Sequence, residues 1–581
     1  MAADQDTDSQ AKAESNEVAF ERLNPQTYRA KILLVLLIIG FLLLPPIYTT
    51  SKIGIQAIFN FFQQDAFYYI AVAQNSTNGF YSFDGERTTN GFHPLWQYLL
   101  TFCFGLFQTP DQAFQIEFVF WVSVIFVIVG YCLAGLALFE ISRSVLLSFL
   151  VVPGLLNVAL SFILRWGGSP WKYMNGMESS LSVFFLGILL CFIAAQYNNP
   201  SELMKRKGFL FGLGVVLGLI ILSRLDDVFL LPAFFLSLIY LGEGSWAERF
   251  EKGILVCGPG ICMLIPYLVF NYVSVGTPLP ISGVSKGEIS LWANLLNLWG
   301  LLFPEPFKPG TLYADIFATE VYKQALMWVS LTLSFLFVGL LAGTVKRGRL
   351  SKQQALLVLG LLLYIPFKVL YNLANVHVNH QGIWYFVVPT LVINFGALFL
   401  LAHSSLRFSD LTRWANTGTV VSLVFYLAFY LATTYKGAMY TSGEDYAFWS
   451  DRQQISRYLR DHKPNIKIIE FHDGIIGYSL GIPTIHGMGF VIDHEGLLAI
   501  QAGRFLEYCY SRGFNTIATI RYLPIQDPRM KTDEIVSRLK GSYHLHREPL
   551  SDFEFRVLLY HAPSHALFVE FWPRAGLKHG S

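Results

Sequence analysis

The sequence predicts a polytopic α-helical membrane protein of about 11 to 13 transmembrane helices with a C-terminal extracytoplasmic α/β domain. Three observations predict it. Of 581 residues, 53% are hydrophobic and only 14% are charged, with a mean hydropathy of +0.45, which is far more apolar than a water-soluble enzyme of this length. Apolar runs of spanning or near-spanning length recur from Ile32 to Ala432. Beyond Tyr435 they give way to charges of both signs and alternating strand-like and helical stretches.

In order, residues 1–30 mix Asp4, Asp6, Asp8, Glu14, Glu17 and Glu21 with few apolar side chains and read as a disordered cytoplasmic tail, not a cleavable signal. Arg22, Arg29 and Lys31 precede the first span, Ile32 to Tyr48, which by the positive-inside rule puts the following loop, residues 49–94, outside. Further runs cover Leu95 to Phe107, Ile116 to Ile141, Val145 to Leu164, Leu181 to Ala195, Phe209 to Leu222 and Val228 to Leu241. Ile254 to Tyr272, Ala325 to Ala342, Ala355 to Leu373, Ile383 to Ala402 and Val420 to Ala432 complete about twelve segments in residues 31–435.

Basic clusters at Lys205 to Lys207, Lys346 to Lys352, and Arg407 with Arg413 mark inner turns and place the C-terminal residues 436–581 outside. An inner N-terminus and an outer C-terminus need an odd number of crossings. The segment expected to be miscounted is Val145 to Leu164, which Pro153 and Gly154 interrupt; eleven or thirteen crossings then fit, with Arg143 on the outer side. In the C-terminal part, helices are expected at Arg452 to Asp461 and Gly496 to Ser511, and strands at Lys467 to Phe471, Thr516 to Ile520 and Phe553 to Tyr560.

A formal net charge of +2 shows no polybasic character, so nucleic acid is not an expected partner. Five of the six cysteines lie in apolar runs and only Cys509 in a soluble stretch, so no disulfide forms within the outer domain. No zinc-type spacing occurs.

The segment Gln63 to Trp96 stands out because it is polar, acidic and glycine-bearing directly after a hydrophobic span. With the outer face so assigned, Asp65, Asp84, Arg87 and His93 join Lys172 and Glu178 of KYMNGMESSL, Arg224 with Asp226 and Asp227 of RLDD, Lys286, and Lys368, His377 and His380 near the segment ending at Leu373. Ionisable groups at membrane depth are costly unless paired or wetted, so this set points to one shared polar cavity. Each residue also has a structural reading. Asp65 suits an N-cap, Arg224 with Asp226 or Asp227 an ion pair at a helix end, Glu178 a helix N-terminus, and Asn90 and Gly91 a turn. His93 suits a loop bond before Pro94, and Lys286, His377 and His380 suit solvated interfacial positions.

The ordered set QDAFYY at Gln64 to Tyr69, TNGFHPLW at Thr89 to Trp96, NGMESSL at Asn175 to Leu181, RLDD at Arg224 to Asp227, NYVSVGTPLPISGVSK at Asn271 to Lys286 and WYFVVP at Trp384 to Pro389 resembles the GT-C superfamily of integral-membrane glycosyltransferases. The likeness is to prokaryotic arabinofuranosyl- and mannosyl-type members, and FHDGIIGYSLGIPTIHGMGFV at Phe471 to Val491 is similar to their soluble C-terminal domain. Many relatives carry two adjacent acids where this chain has Gln64 and Asp65, so Asp65 alone carries the acidic role.

The resemblance implies inverting transfer of a sugar from a polyprenyl-phosphate donor to a glycan, lipid or protein acceptor, at the outer face of a membrane of bacterial inner-membrane type. It implies Asp65 as base, and Arg224, Lys286 and His93 at the donor phosphate. Asn90, Trp96, Glu178, Tyr68, Lys172, His377 and His380 are the further substrate candidates. No cofactor is called for, and a magnesium or manganese ion is left open. A transporter or flippase of lipid-linked glycans is the alternative, which predicts polar residues through the spans and a cavity facing the cytoplasm. A glycan-binding membrane protein without turnover is the third reading.

Overall fold

The first apolar run folds as one long helix, Pro25–Ile53, although it carries Pro45 and Pro46. A proline removes the N–H that would have bonded the carbonyl four residues back, and in lipid that carbonyl needs another donor. For Pro46 the carbonyl is that of Leu42, and it accepts the indole N–H of Trp171 at 2.9 Å. The same solution recurs at Pro366 in the helix Lys352–Asn375, where the freed Leu362 carbonyl accepts the Ser334 hydroxyl at 2.7 Å. Two helix breakers thereby become cross-links between elements.

This computed structural model describes residues 25–76, 79, 81–108, 110–153, 170–285, 312–375, 383–403, 443–471, 474–487, 491–519, 534, 545 and 548–574, with only the backbone described at 285, 312–327, 373, 375, 383, 384, 443 and 444. Among them, six helices are long and apolar enough to cross a membrane: the first one, Gln112–Ser142, Ser179–Asn198, Trp246–Val275, Trp328–Lys346 and Lys352–Asn372. Pro94–Phe107, Lys207–Ser223 and Val387–Ala402 are shorter apolar helices. The expected span Val420 to Ala432 lies outside the described residues, as does the latter half of Val145 to Leu164.

Two sets of contacts define the faces of the bundle. At one end, Lys31 pairs with Glu140, which also holds Arg143 at 3.0 Å; at the other end of that same long helix, the Gln112 side chain donates to the Tyr478 carbonyl of the C-terminal domain at 2.6 Å. The chain therefore leaves the first loop at His93, runs through Pro94–Phe107 and turns back still on the face that carries the C-terminal domain. This corrects the expected topology. The segment that does not cross is Leu95 to Phe107, and Arg143 lies on the same face as Lys31, where its charge agrees with the other basic turns. The 14 residues of Pro94–Phe107 span about 21 Å at 1.5 Å per residue, short of a hydrocarbon core of about 30 Å. Trp96, Leu100 and Phe104 are buried while Phe102, Leu106 and Phe107 are exposed, as in a helix lying along a boundary.

The C-terminal domain is built on a five-stranded sheet in the order β2-β1-β3-β5-β4: β1 Ile468–Glu470, β2 Thr484–His486, β3 Thr516–Thr519, β4 Phe553–His561 and β5 Ala566–Pro573. β1 pairs in parallel with β2 and β3, and β5 pairs antiparallel with β3 and β4. Every residue of β1, β2 and β3 is buried, the polar Glu470, Thr484, His486, Thr516 and Thr519 included, so these strands show no alternation between a buried and an exposed face. β2 and β5 were not expected from the sequence. The helix expected over Gly496 to Ser511 is two helices, His494–Gln501 and Phe505–Ser511. Gly503, at φ +64°, breaks it, with the Arg504 N–H returning to the Ala499 carbonyl at 2.9 Å. The helix expected at Arg452 to Asp461 is longer, Gly443–His462.

Candidate active site

Three of the sequence motifs meet through one glycine. The chain turns at Phe62 to Gln64 into the helix Ala66–Ser76, with the Gln63 N–H bonded to the Asn175 carbonyl at 3.1 Å. Gly176, at φ +76°, sits so close that a Cβ there would lie 2.9 Å from Cβ of Ala66, and its carbonyl accepts the Trp96 indole N–H at 3.1 Å. Any side chain at 176 would push the Asp65 turn away from NGMESSL. Trp96 itself is wholly buried and acts as a strut.

Beside this joint lies a cavity of about 510 Å³, lined by Asp65, Tyr68, Tyr69, His93, Glu178, Arg224 and Asp226 among others. The Tyr69 hydroxyl donates to Glu178 Oε2 at 2.8 Å, and Arg224 Nη1 to Glu178 Oε1 at 2.6 Å. Arg224 Nε and Nη2 each reach Asp226 at 3.3 Å, and its guanidinium lies 4.9 Å from the Tyr385 ring centroid. Lys368 Nζ bridges Asp226 Oδ2 at 2.5 Å and Asp227 Oδ1 at 2.9 Å, and Tyr364 donates to the latter oxygen at 2.5 Å. Glu178, Arg224, Asp227 and Lys368 are all but inaccessible to solvent. An uncompensated charge here would cost several kcal/mol, so each acid is paired.

His93 joins this wall from the other side. Its Nδ1 accepts the Leu225 N–H at 3.3 Å, which leaves the neutral ring's proton on Nε2, 3.7 Å from Glu178 Oε1. The backbone N–H of His93 donates to the Tyr69 hydroxyl at 3.3 Å. Asn90 does not line the cavity; it is buried and ties down the opposite rim, its Oδ1 accepting the Ile281 N–H at 3.0 Å and its Nδ2 donating to the Leu279 carbonyl at 3.2 Å. Leu279, Pro280, Ser282, Gly283 and Val284 form that rim.

The site thus gathers Asp65, Tyr68, His93, Glu178, Arg224 and Asp226 from the expected set, with Asp227 and Lys368 of that set behind them, and adds Tyr69 and Tyr364. Asn90 and Trp96 shape the walls without lining them. Lys172, on the short turn Pro170–Tyr173, is half-buried and off the lining. Lys286, His377 and His380 lie outside the described residues. Tyr364 was missed although it had a findable signal: it lies one helical turn before Lys368 in an otherwise apolar run, and both bond Asp227 Oδ1.

For a divalent metal the fit is poor. Among the described residues no group of three or more His, Cys, Asp or Glu side chains is placed to hold one, and Glu178, Asp226 and Asp227 already answer Arg224, Lys368, Tyr69 and Tyr364.

The first loop is also clasped by the C-terminal domain. Asp84 holds Arg87 at 2.7 Å, Arg87 Nη1 donates to the Tyr508 hydroxyl at 2.5 Å, and Tyr508 donates to Asp493 at 2.6 Å. Burial works against the Arg87 charge, but Asp84, Tyr508 and Asp493 together hold the guanidinium above its ordinary pKa. Thr89 donates to the Ile492 carbonyl at 3.1 Å, Lys467 meets Glu86 at 3.0 Å, and Val491 reaches the cavity itself. Asn75 of the N-S-T sequon donates to the Phe83 carbonyl at 2.8 Å, a half-buried place with a structural use.

No family model and no curated protein matches the sequence. Solved structures do overlay it along most of its length. An oligosaccharyltransferase of Archaeoglobus fulgidus, tethered to an acceptor peptide containing an NVT sequon, overlays 90% of this chain and 71% of its own at 12% identity and a TM-score of 0.48. The same protein in complex with zinc and sulfate gives 13% identity and a TM-score of 0.44 over the same shares. ArnT from Cupriavidus metallidurans, bound to undecaprenyl phosphate, overlays 91% of this chain and 98% of its own at 11% identity and a TM-score of 0.46.

Proposed function

We propose that this chain is an inverting membrane glycosyltransferase that moves a sugar from a polyprenyl-phosphate donor to an acceptor hydroxyl, with Asp65 as base. The observation that carries the reading is the cavity: residues 65, 68, 93, 178 and 224, spread over 160 positions of sequence, line one chamber where apolar helices meet a polar domain. The donor class comes from the sequence resemblance to GT-C enzymes, and the chamber supports it by offering a carboxylate, a histidine and a buried arginine to one ligand.

In this reaction the Asp65 carboxylate takes the acceptor hydroxyl proton as the oxygen attacks the anomeric carbon, and the bond from that carbon to the phosphate oxygen breaks, its electron pair leaving with the phosphate. Charge developing on the phosphate is met in a water-poor site by His93, by Lys286 and by the field of Arg224, whose Nε, Nη1 and Nη2 each already donate one hydrogen bond to Glu178 or Asp226. The acidic residues that crowd the Arg224 side keep the guanidinium in place. In a membrane of bacterial type this face is the extracytoplasmic one.

Purified protein incubated with polyprenyl-phosphate sugars and a panel of glycan, lipid and peptide acceptors is expected to transfer sugar. Absence of transfer from every such donor, in protein that melts cooperatively, overturns the reading.

A further inference from the structure

Residues on both sides of Asp65, Gln64 and Tyr68, are held by the C-terminal domain. On one side, the Gln64 side-chain amide donates to both oxygens of Asp445, at 2.9 and 2.8 Å, on the helix Gly443–His462. On the other, the Tyr68 hydroxyl is hydrogen-bonded to His486 Nε2 on β2, with the two rings edge to face at 4.8 Å. Residues 64 and 68 bracket Asp65, and both of their side chains meet the C-terminal domain. The Tyr68 N–H closes that turn on the Asp65 carbonyl at 3.2 Å.

The seat of Tyr68 is tight. Tyr68 and His486 are both buried, and Phe83 packs edge-on against the tyrosine at 5.5 Å. Gly474, at φ +84°, rests on the tyrosine so closely that a Cβ there would lie 2.8 Å from the Tyr68 nitrogen and 2.6 Å from its ring. His486 is fixed in turn by sheet pairing, opposite Glu470 of β1. A histidine on a strand, unlike one on a loop, holds its partner to a defined position.

We propose that His486 is a positioning residue of the active site: through Tyr68 it sets the first turn of Ala66–Ser76 and hence the place of the Asp65 carboxylate, so that the C-terminal domain is a working wall of the cavity. The catalytic part of this rests on the proposed role of Asp65, whereas the positioning part stands on geometry alone. Misplacing a catalytic group by about 1 Å costs on the order of 100-fold in rate.

The test uses the full chain in detergent, with His486→Phe, His486→Gln, Tyr68→Phe and the double variant His486→Phe with Tyr68→Phe. Amide hydrogen exchange over residues 64–76, which needs no substrate, is expected to speed up by about 10-fold or more in His486→Phe and Tyr68→Phe, and to return most of the way in His486→Gln. With a polyprenyl-phosphate sugar as donor, kcat is expected to fall about 10- to 100-fold in the same two variants. KM for the donor should stay within about twofold, and the double variant should be no worse than either single one. Unchanged exchange in a folded His486→Phe overturns the proposal, as do losses that multiply in the double variant. If His486→Phe fails to melt cooperatively, Tyr68→Phe decides by the same readout. Faster exchange in a protein that transfers no sugar even as wild type supports the positioning role and sinks the proposed reaction instead.

Discussion

Two ionic networks flank the cavity, and they differ in everything but chemistry. The knot of Glu178, Arg224, Asp226, Asp227 and Lys368 is built by three helix ends inside the bundle, with side chains of Arg224 and Lys368 at 1% and 0% exposure. The clasp between the first loop and the C-terminal domain uses Asp84, Arg87, Asp493 and Tyr508, with Lys467 at 27% and Glu86 at 49% at its rim. Coulomb energy scales inversely with the local dielectric, and so does the cost of leaving a charge alone. The knot is an obligate unit in which no member can be lost singly; the clasp is a set of contacts that water can replace.

The largest expected effect separates charges that do chemistry from charges that hold structure. Asp65→Asn is expected to lower sugar transfer by about 100-fold or more with no change in thermal midpoint, measured by a radiolabelled-donor assay beside a detergent melt. Full activity in that variant removes Asp65 as base.

Next comes the knot. Arg224→Ala leaves Glu178 and Asp226 without their shared partner, and a loss of about 3–5 kcal/mol is expected, read by equilibrium unfolding in mixed detergent micelles. Replacing Arg224 and Glu178 together by leucine should recover part of that loss, since the stranded charge goes with its partner. A double variant as unstable as the sum of its singles would show that the two are not coupled.

A third case is a buried acid with no ion partner among the described residues. Glu470 is wholly buried on β1, and burial pushes its carboxyl well above the ordinary 4.5, although N–H groups of Gly477, Ile476 and Gly474 draw it part of the way back. The folded protein therefore holds this proton when the unfolded chain has lost it. Stability contributed by the neutral acid is full below about pH 4.5 and falls as pH rises toward the folded value, by up to about 1.4 kcal/mol per pH unit. Melting midpoints taken from pH 4.5 upward should decline in wild type and flatten in Glu470→Gln; a flat wild-type profile contradicts the argument.

The smallest effect belongs to the rim of the clasp. Lys467→Ala, losing the half-exposed pair with Glu86, is expected to cost no more than about 1 kcal/mol, with the remaining difference screened out in 0.5 M salt. A loss as large as that of Arg224→Ala would erase the contrast between the two networks.

Much of this architecture was legible in the residues. Long apolar runs become helices because lipid leaves the backbone no other partner, so their places followed from composition alone. The polar first loop, Glu178 and RLDD stood out because ionisable groups are dear at membrane depth. The reading went wrong where periodicity is silent. Leu95 to Phe107 is as apolar as a span, and only the contacts of Gln112 and Glu140 reveal that it stays on one face. Strands β2 and β5 were missed because a three-residue buried strand, or one that closes a hairpin after a turn, has little pattern of its own.

What the sequence determined by itself, then, is the inventory: a helical membrane protein, a polar C-terminal domain, and a short roster of charged residues too costly to be idle. Only the tertiary structure decided which of them meet. Pairing of Arg224 with Glu178, of Lys368 with Asp227 and of Tyr68 with His486 joins residues 46, 141 and 418 positions apart. No local propensity encodes such a distance. It is settled when helix packing and domain docking close the cavity, because that closure removes the water that would otherwise have satisfied each group separately.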